Sequence, residues 1–569
     1  MKWRETAVFI AVAAVTGFYY EWGVRATGFE FEWRNASLTG YYNLLAQGFA
    51  AGHLYLPVEP DTRLLALKDP LDPNAGQDLP KLFDTVLYGR HYYLYHGAGP
   101  AVLLFLPWRL VTGWDLPERF ALFVFCFAGY LFAAGTLISM LRMAGAEVGA
   151  WVLAAMLLAL GFCSSVPFLL NRVWVYENAI GGGYFCVSAG LFFLLRGLRS
   201  GRGVWLAAAG LMLGLAVACR PHLGIVAGFG LVAAALGVRR RAVAFAIPLV
   251  TVGVAIGAYN LARFGNPFEF GLPYQITGPG QGVLHLRVAN MLPGLYYMLF
   301  TRPEFTKVFP WVLMAWPARD FPRPALYFVE PIVGAMFLAP FLAMAVAALF
   351  IRGLGAMRWV VVLSALSALG FLIATGLSTQ RYEVDFVPLL VLGAMAAFGV
   401  WIARTNGAWR TVASCVLGAT VVFGVVVNLA LGITGPYDEL MKYKPSRYVR
   451  IAKWFSPAAE LRPELNPAIH ADFSAVVRME ADHTRRDLFA AGRRPWGYEL
   501  FVDHLNGKPV LVSRFGNADV TREVTPGAVR FRVRYARETW EMVVTVDGAE
   551  VLRQKVEGLV SAPAEVRVG

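Results

Sequence analysis

The chain has 569 residues, of which 57% are hydrophobic and 16% are charged, and its mean hydropathy is +0.53. Soluble domains carry about 25% charged residues, so this composition excludes an ordinary soluble protein and indicates a polytopic membrane protein. The formal net charge of +13 comes from 51 Lys+Arg against 38 Asp+Glu. This surplus lies largely between apolar segments and marks topology, so it does not indicate a nucleic-acid partner.

Apolar stretches long enough to cross a bilayer recur along the chain, since a spanning helix needs about 20 mostly apolar residues. The first has Lys2 and Arg4 before it and no small-residue cleavage site after it, which predicts an uncleaved anchor. The predicted spans are 6–24, 118–141, 148–171, 175–195, 203–219, 222–238, 242–262, 329–351, 358–377, 384–403 and 411–433.

Basic residues predict the orientation of these spans, because they cluster on every second connection and such connections face the cytoplasm. An odd number of spans then places the N-terminus inside and the C-terminus outside. The outer segments are 25–117, 263–328 and 434–569. The basic clusters are Lys2/Arg4, Arg142, Arg196/Arg199/Arg202, Arg239/Arg240/Arg241, Arg352/Arg358 and Arg404/Arg410.

The first outer segment contains two short apolar stretches. One places Leu38, Tyr41, Tyr42, Leu45 and Phe49 on one helical face, and the other, 99–111, is too short to span a membrane. Both are predicted to lie in the outer membrane interface, which suits aromatic side chains.

The tail after Pro436 changes character and shows short alternating strands. They include 498–503, 510–515, 529–535 and 540–546, and the pairs Asn506-Gly507 and Asp547-Gly548 are strong hairpin signals. This pattern predicts an all-β domain of about 100 residues, a sandwich or jelly roll.

The cysteines show neither pairing nor metal-ligand spacing. The five cysteines, Cys126, Cys163, Cys186, Cys219 and Cys415, all lie in or at the ends of spans, and we interpret them as core residues. No metal-binding residue is assigned.

Arginines at the outer ends of spans run against the topological bias: Arg172, Arg220 and Arg381. A planar guanidinium donates paired hydrogen bonds to phosphate oxygens, so the three predict a lipid phosphate or diphosphate site. The alternative is structural, with Arg172 paired to Glu177 and Arg381 to Asp385 at i,i+4.

Coupled transport is disfavoured, because the spans carry almost no acids and show no repeated broken helices. The acids that remain are Glu177, Glu383 and Asp385 at helix ends, and Glu30, Glu32 and Asp84 in the first outer segment. Glu32 has the alternative of pairing with Arg34, and Asp84 of being a hairpin residue.

The order of these parts resembles the GT-C superfamily of membrane glycosyltransferases, over residues 1 to about 433. Local phrases that resemble bacterial members are 40–46 (GYYNLLA), 92–100 (YYLYHGAGP), 263–268 (RFGNPF) and 381–386 (RYEVDF). The tail resembles lectin-type jelly rolls. In that superfamily an acid of the first outer loop acts on the acceptor, and the donor is usually a polyprenyl-phosphate sugar.

The resemblance implies roles for individual residues. The usual acid pair stands where this chain has Asn35-Ala-Ser37, so Glu32 is the leading catalytic base and Glu30 and Asp84 are reserves. The donor and its leaving phosphate are assigned to Arg172, Glu177, Arg220, His222, Arg381 and Asp385, with His222 equally interpretable as a helix-end residue.

We therefore expect a mainly α-helical membrane domain over residues 1–433 and an extracytoplasmic β domain over 434–569. The predicted activity is inverting transfer from a polyprenyl-phosphate sugar to a glycan, lipid or protein acceptor, at the outer face of a bacterial cytoplasmic membrane. Membrane lipids are expected partners, and a divalent metal ion stays open as a cofactor. The alternatives are a non-enzymatic lipid or polysaccharide translocase or assembly subunit with a glycan-binding β domain, and a membrane ligase or phosphotransferase.

Overall fold

The computed structural model divides the chain into two compact units, 1–304 with 313–437 and 305–312 with 438–569. Each unit has its own hydrophobic core. The structure describes residues 3–27, 31–72, 75, 79–277, 286–306, 309–314, 321–324, 327–455, 472–479, 485–491, 498–505, 508–515, 518–525, 527–536, 541–556 and 567–568.

The first unit is a bundle of long apolar helices with short ones between them. A π-helical stretch, Ala101–Phe105, leads directly into α4, and 3₁₀ turns occupy Pro221–Leu223 and Gln380–Asp385. The helices are α1 Trp3–Ala26, α2 Tyr41–Ala50, α3 Thr62–Leu65, α4 Leu106–Thr112, α5 Glu118–Met143, α6 Ala150–Phe162, α7 Val166–Leu169, α8 Val175–Ser200, α9 Gly203–Cys219, α10 Gly224–Val238, α11 Ala242–Phe264, α12 Met291–Phe300, α13 Ala335–Leu338, α14 Met344–Ala348, α15 Met357–Ala374, α16 Val387–Arg404 and α17 Ala408–Thr434.

Eight segments of the described chain are long and apolar enough to cross a membrane, with α6–α7 and the run 221–264 each counted once. The predicted multi-pass helical class is therefore confirmed. The 17-residue α9 is apolar and packs between α8 and α11. Ten of the predicted spans coincide with helices. The two short helices expected within 25–117 appear as α2 and as 101–112, and their position in the membrane interface stays a prediction.

The predicted span 329–351 differs from the structure, because it is two short helices, α13 and α14, rather than one. Pro340 disfavours helical backbone at Ala339, which ends α13. The freed backbone groups are bonded by buried side chains: Asn428 donates to the Leu338 carbonyl at 2.9 Å, and Gln380 accepts from the Val333 N–H at 2.7 Å. Irregular backbone inside a helical membrane unit needs such internal partners.

Four of the five cysteines are buried as expected, and Cys415 is the exception. It lies exposed on α17, a spanning helix with an apolar outer surface. Because Cys415 is exposed, the interpretation of it as a core residue is wrong. A small, weakly polar thiol is compatible with an apolar helix surface.

Short strands occur in pairs outside the β domain. They are β1 Val86–Tyr88 with β2 His91–Tyr93, β3 Glu304–Phe305 with β4 Val312–Leu313, and β5 Phe328–Val329 with β6 Leu377–Ser378. The β1–β2 hairpin belongs to the first outer segment, and β5–β6 is a parallel pair that fixes Glu330 beside Thr379.

The second unit is a β-sandwich preceded by two helices, α18 Glu439–Tyr443 and α19 Pro445–Phe455. Its antiparallel sheets have the orders β11-β10-β9-β8-β15 and β14-β13-β12-β7, and their core includes Tyr498 and Leu500 from one and Phe531 and Val544 from the other. The strands are β7 Asp472–Met479, β8 Arg486–Ala491, β9 Tyr498–Leu505, β10 Lys508–Phe515, β11 Ala518–Glu523, β12 Gly527–Ala536, β13 Glu541–Val546, β14 Ala549–Lys555 and β15 Arg567–Val568.

The predicted all-β tail is confirmed, and one of its two hairpin signals is seen directly. Asp547 and Gly548 both have positive φ, of 48° and 87°, as a two-residue turn between β13 and β14 requires. Asn506-Gly507 lies outside the described residues, between the paired strands β9 and β10. The strands mostly follow meander order, and a jelly roll is not confirmed.

Candidate functional site

The three arginines singled out in the sequence lie with acids and aromatic residues in one cluster at one end of the helical unit. Arg220 follows the last residue of α9, and its guanidinium bonds Asp385 at 2.9 Å. His222, in the adjoining 3₁₀ turn, places Nε2 3.1 Å from the same carboxylate and stacks on Phe371. At the opposite end of the bundle, Glu5 and Arg142 form an ion pair between α1 and α5.

Arg381 is the second cation of the cluster, and it is almost fully buried. It bonds Glu330 at 2.9 Å, approaches Glu177 at 3.6 Å, and lies over the ring of Tyr176. Burial acts to lower the pKa of Arg381, and the carboxylates of Glu330 and Glu177 outweigh it, so the pKa is raised. This guanidinium is a permanent charge.

The alternative in which Arg381 pairs with Asp385 is not what the structure shows. Residues four apart share a face in an α-helix, but Gln380–Asp385 is a 3₁₀ turn with three residues per turn, so the two side chains diverge. Asp385 turns to Arg220 and His222 instead, and Arg381 turns to Glu330.

Arg172 makes cation–π contacts, and its charge also acts on the carboxylate of Glu177, its partner in the structural alternative. Its guanidinium lies over the rings of Trp174 and Tyr437, at 4.6 and 4.9 Å from their centroids. Glu177 accepts the Trp174 backbone N–H at 3.0 Å, which caps the start of α8. A small pocket has Arg172, Glu177, Glu330 and Arg381 among its lining residues.

His96 was not predicted and lies against the same arginines. Its ring contacts Tyr95 and meets Tyr176 edge-on at 4.7 Å. Burial, followed by the charges of Arg220 and Arg381, holds the pKa of His96 well below its ordinary value. His96 is therefore neutral at pH 7, with one ring N–H to donate.

Several polar atoms of the cluster are buried without a hydrogen-bond partner in the described part of the chain. They are Nε of Arg220, Nε of Arg381 and Nε2 of His96. Leaving a buried donor unsatisfied costs about 1–3 kcal/mol, and more when the group is charged. Such groups in one place need an explanation, and a bound anion is a suitable one.

Glycines hold the loop of His96 against the end of α9. A Cβ at Gly97 would stand 1.9 Å from the Ala218 carbonyl oxygen, and one at Gly99 would stand 2.5 Å from Sγ of Cys219. Only glycine permits this approach, which brings His96 beside Arg220.

Asp84 is joined to the cluster through aromatic side chains. It follows a short loop before β1, with φ of 57° and its N–H bonded to Ile276. Its carboxylate interacts with the hydroxyl of Tyr176, which also lies 3.3 Å from the hydroxyl of Tyr95. Burial, and then the charge of Asp84, raises the pKa of Tyr95.

Glu32 lies apart from this arrangement. It is exposed, and among the described residues its hydrogen bond comes from Asn35 Nδ2 at 3.0 Å rather than from Arg34. Its neighbours Phe31 and Trp33 pack on Phe120 at the start of α5. Glu30 lies outside the described residues.

Glu330 is the acid that sequence reasoning missed. It stands at the outer end of a predicted span, as Arg381 does, and that position was the available signal. No group of three or more His, Cys, Asp or Glu side chains in the described ranges is arranged to hold a metal ion.

Comparison with known proteins gave structural matches. The model resembles the oligosaccharyltransferase of Archaeoglobus fulgidus, solved with a tethered acceptor peptide, at 11% identity and a TM-score of 0.38, covering 79% of this chain and 55% of that one. It also resembles ArnT of Cupriavidus metallidurans, solved in the apo state and with undecaprenyl phosphate. Identities are 16% and 15%, TM-scores are 0.38, and 79% of this chain and 75% and 76% of those chains are covered.

The chain spans about half the length of the oligosaccharyltransferase. No family model and no curated protein matches the chain. Identities of 11–16% at this TM-score do not place individual residues.

Proposed function

We propose that this chain is a membrane glycosyltransferase. It moves a sugar from a polyprenyl-phosphate carrier to an acceptor hydroxyl at the outer face of the cytoplasmic membrane. The observation that carries the proposal is the set of buried, unsatisfied nitrogen atoms on Arg220, Arg381 and His96. They lie where the ends of several apolar helices meet. In the proposed orientation this end of the unit faces the outer side of the membrane.

The carboxylates around the arginines decide what kind of anion fits. Asp385, Glu330 and Glu177 already balance Arg220 and Arg381, so the cluster is not a strongly positive patch. It is a preorganised set of oriented donors, which stabilises charge that develops during a reaction. A phosphodiester donor carries one charge, and its leaving phosphate gains another as the bond to sugar breaks.

Asp84 is our candidate for the base, in place of Glu32. Tyr176 links the two halves of the site, since its hydroxyl interacts with Asp84 and its ring lies 4.4 Å from the guanidinium carbon of Arg381. The proposed base and the proposed leaving-group site are therefore one tyrosine side chain apart. Glu32 has no such link within the described residues.

In the proposed step, the acceptor oxygen attacks the anomeric carbon while Asp84 accepts the hydroxyl proton. The bond between that carbon and the phosphate oxygen breaks, and its electron pair leaves with the lipid phosphate. Arg220, Arg381 and neutral His96 donate hydrogen bonds to the phosphate oxygens. A single displacement of this kind inverts the anomeric centre.

The decisive experiment compares two carboxamide variants. A strain lacking the gene accumulates an unmodified glycan or lipid, which mass spectrometry of extracted lipid-linked intermediates identifies. The wild-type gene and Glu32→Gln restore the product, whereas Asp84→Asn lowers turnover by about 10²–10⁴. Full activity of Asp84→Asn with loss in Glu32→Gln would return the base to Glu32. Full activity of both would contradict the mechanism and favour a translocase.

The orientation is part of the proposal and has its own test. A reporter that is active outside the cytoplasm is fused after Gly435, and matched fusions are made at Gly201 and Gly237. Activity is expected after Gly435 alone, because the basic connections near the other two positions retain them inside. A cytoplasmic Gly435 fusion would place the Arg220 cluster on the wrong side for this reaction.

A further inference from the structure

We propose that α19 of the second unit is a membrane-docking helix that binds the anionic headgroup surface of the bilayer the chain itself spans. The inference is independent of the glycosyltransferase proposal. It rests on the amphipathic character of Pro445–Phe455 and on exposed aromatic residues around it.

The helix has a buried face that fixes it to its own unit. Tyr448 is 1% exposed and donates a hydrogen bond to the Phe309 carbonyl at 2.8 Å, and Ala452 is 3% exposed. Phe309 also stacks on Phe455 with centroids 5.5 Å apart. These contacts anchor one face of the helix to its own unit. They therefore also determine which residues of the helix face away from that unit.

The opposite face combines cations with a large aromatic side chain. Arg447, Arg450 and Trp454 are exposed, the last at 74%. At 3.6 residues per turn these three positions fall within an arc of about 60°. The helix sequence PSRYVRIAKWF has three basic residues and no acid.

Further aromatic surface lies beside this face. Phe455 is 59% exposed and Trp311, 36% exposed, meets it edge-on at 5.9 Å. Exposed aromatic residues next to basic ones are costly in water but suit the headgroup region, where the ring is buried and the cation contacts lipid phosphate.

Continuity along the chain identifies the occupant. α19 begins at Pro445, shortly after α17, a spanning helix, ends at Thr434. The bilayer surface is therefore within reach of the helix in every copy of the protein, whereas a separate partner would have to be recruited. Positive charge on the exposed face complements anionic lipid.

The test uses the full-length protein in nanodiscs with a fluorophore at position 454. Cys415, the exposed native cysteine, is first replaced by alanine, and Trp454→Cys is labelled with an environment-sensitive dye. The matched control is Val476→Cys on β7, which is 61% exposed in the same unit. Lipids with a headgroup-proximal spin label quench dyes that enter the interface.

The expected result is strong quenching at 454 and little at 476. Quenching is stronger when the discs contain phosphatidylglycerol than when they contain only phosphatidylcholine. Neutralising both arginines, Arg447→Gln with Arg450→Gln, weakens docking to the anionic discs by up to about thirtyfold, which corresponds to two basic residues near a charged leaflet.

Three outcomes would overturn the proposal. Equal quenching at 454 and 476 would show that the helix does not enter the interface. Quenching at 454 that changes neither with lipid charge nor with the arginine substitutions would show that the helix does not bind an anionic surface. Protection of the 454 dye from aqueous iodide, without quenching by lipid, would indicate a protein contact instead.

Discussion

Arginine–carboxylate pairs of similar length occur in both units of the chain, and their surroundings differ. In the helical unit, Arg381 and Glu330 lie 2.9 Å apart with side chains 9% and 15% exposed. In the β-sandwich, Arg514 and Asp519 lie 2.6 Å apart with side chains 35% and 36% exposed. Water already solvates the second pair, while the first has replaced water by protein groups. The distance alone therefore says little about what either pair contributes.

Breaking the buried pair is expected to have the larger effect on stability. Arg381→Ala leaves the buried Glu177 and the partly buried Glu330 without this cation, which costs about 3–5 kcal/mol. Thermal unfolding of purified protein in nanodiscs measures the loss, with Arg514→Ala as the matched control. Similar melting temperatures for both variants would contradict the difference in surroundings.

Conservative replacement of Arg220 tests whether its donors, and not only its charge, are used. In Arg220→Lys the ammonium keeps the positive charge beside Asp385. It has no fork-shaped donor edge, so the proposed bidentate contact with the lipid phosphate, worth about 1.5–3 kcal/mol, is lost. Turnover should fall roughly ten- to a hundredfold at normal expression. Arg514→Lys should leave turnover unchanged, and equal rates for the two variants would make Arg220 a structural group.

Glu383 provides a smaller, pH-dependent contrast. It is buried, accepts hydrogen bonds from Ser165 and Gln380, and burial raises its pKa well above the ordinary value. The neutral form is favoured in the folded protein, so its stabilising contribution is full below the unfolded pKa and is lost as pH rises through the folded pKa.

Glu383→Gln removes this titration. At low pH the variant should differ from wild type by about one hydrogen bond, roughly 0.5–1.5 kcal/mol. As pH rises above the ordinary carboxyl pKa, the wild-type protein should lose stability relative to the variant, so the melting temperature of the variant should rise relative to that of the wild type. Melting curves at several pH values test this, with Glu523→Gln, which is 70% exposed, as control. A parallel pH trend in wild type and variant would exclude Glu383 as the group responsible.

The smallest effect is expected for the exposed pair itself. Arg514→Ala should cost about 0.2–1 kcal/mol, because a surface pair gains little beyond its interactions with water. High salt should reduce even that, since a Debye length of about 3 Å at 1 M screens exposed charges. If Arg514→Ala lost as much stability as Arg381→Ala, the packing of Arg514 over the ring of Phe501 would have to contribute more than the exposed ion pair.

Sequence reasoning predicted where the arginines meet but not how they pair. Alternating spans return Arg172, Arg220 and Arg381 to one side, and that follows from hydropathy and basic loops alone. The partners depended on local backbone: a 3₁₀ turn separates Arg381 from Asp385, and a break in the predicted span 329–351 delivers Glu330. The close contact of Gly97 with Ala218 brings His96 to the cluster. No periodicity in the sequence indicates a contact of this kind.

The close approach of Gly97 and Gly99 to the end of α9 also limits which changes this part of the protein tolerates. The loop of His96 and the end of α9 that precedes Arg220 form one close-packed wall, because no space separates the loop glycines from Ala218 and Cys219. For the proposed reaction, an entrance that opens for the donor is therefore expected in other segments. Enzyme libraries that aim to widen the entrance should leave both glycines unvaried, since an added methyl group would force this wall apart before it altered specificity.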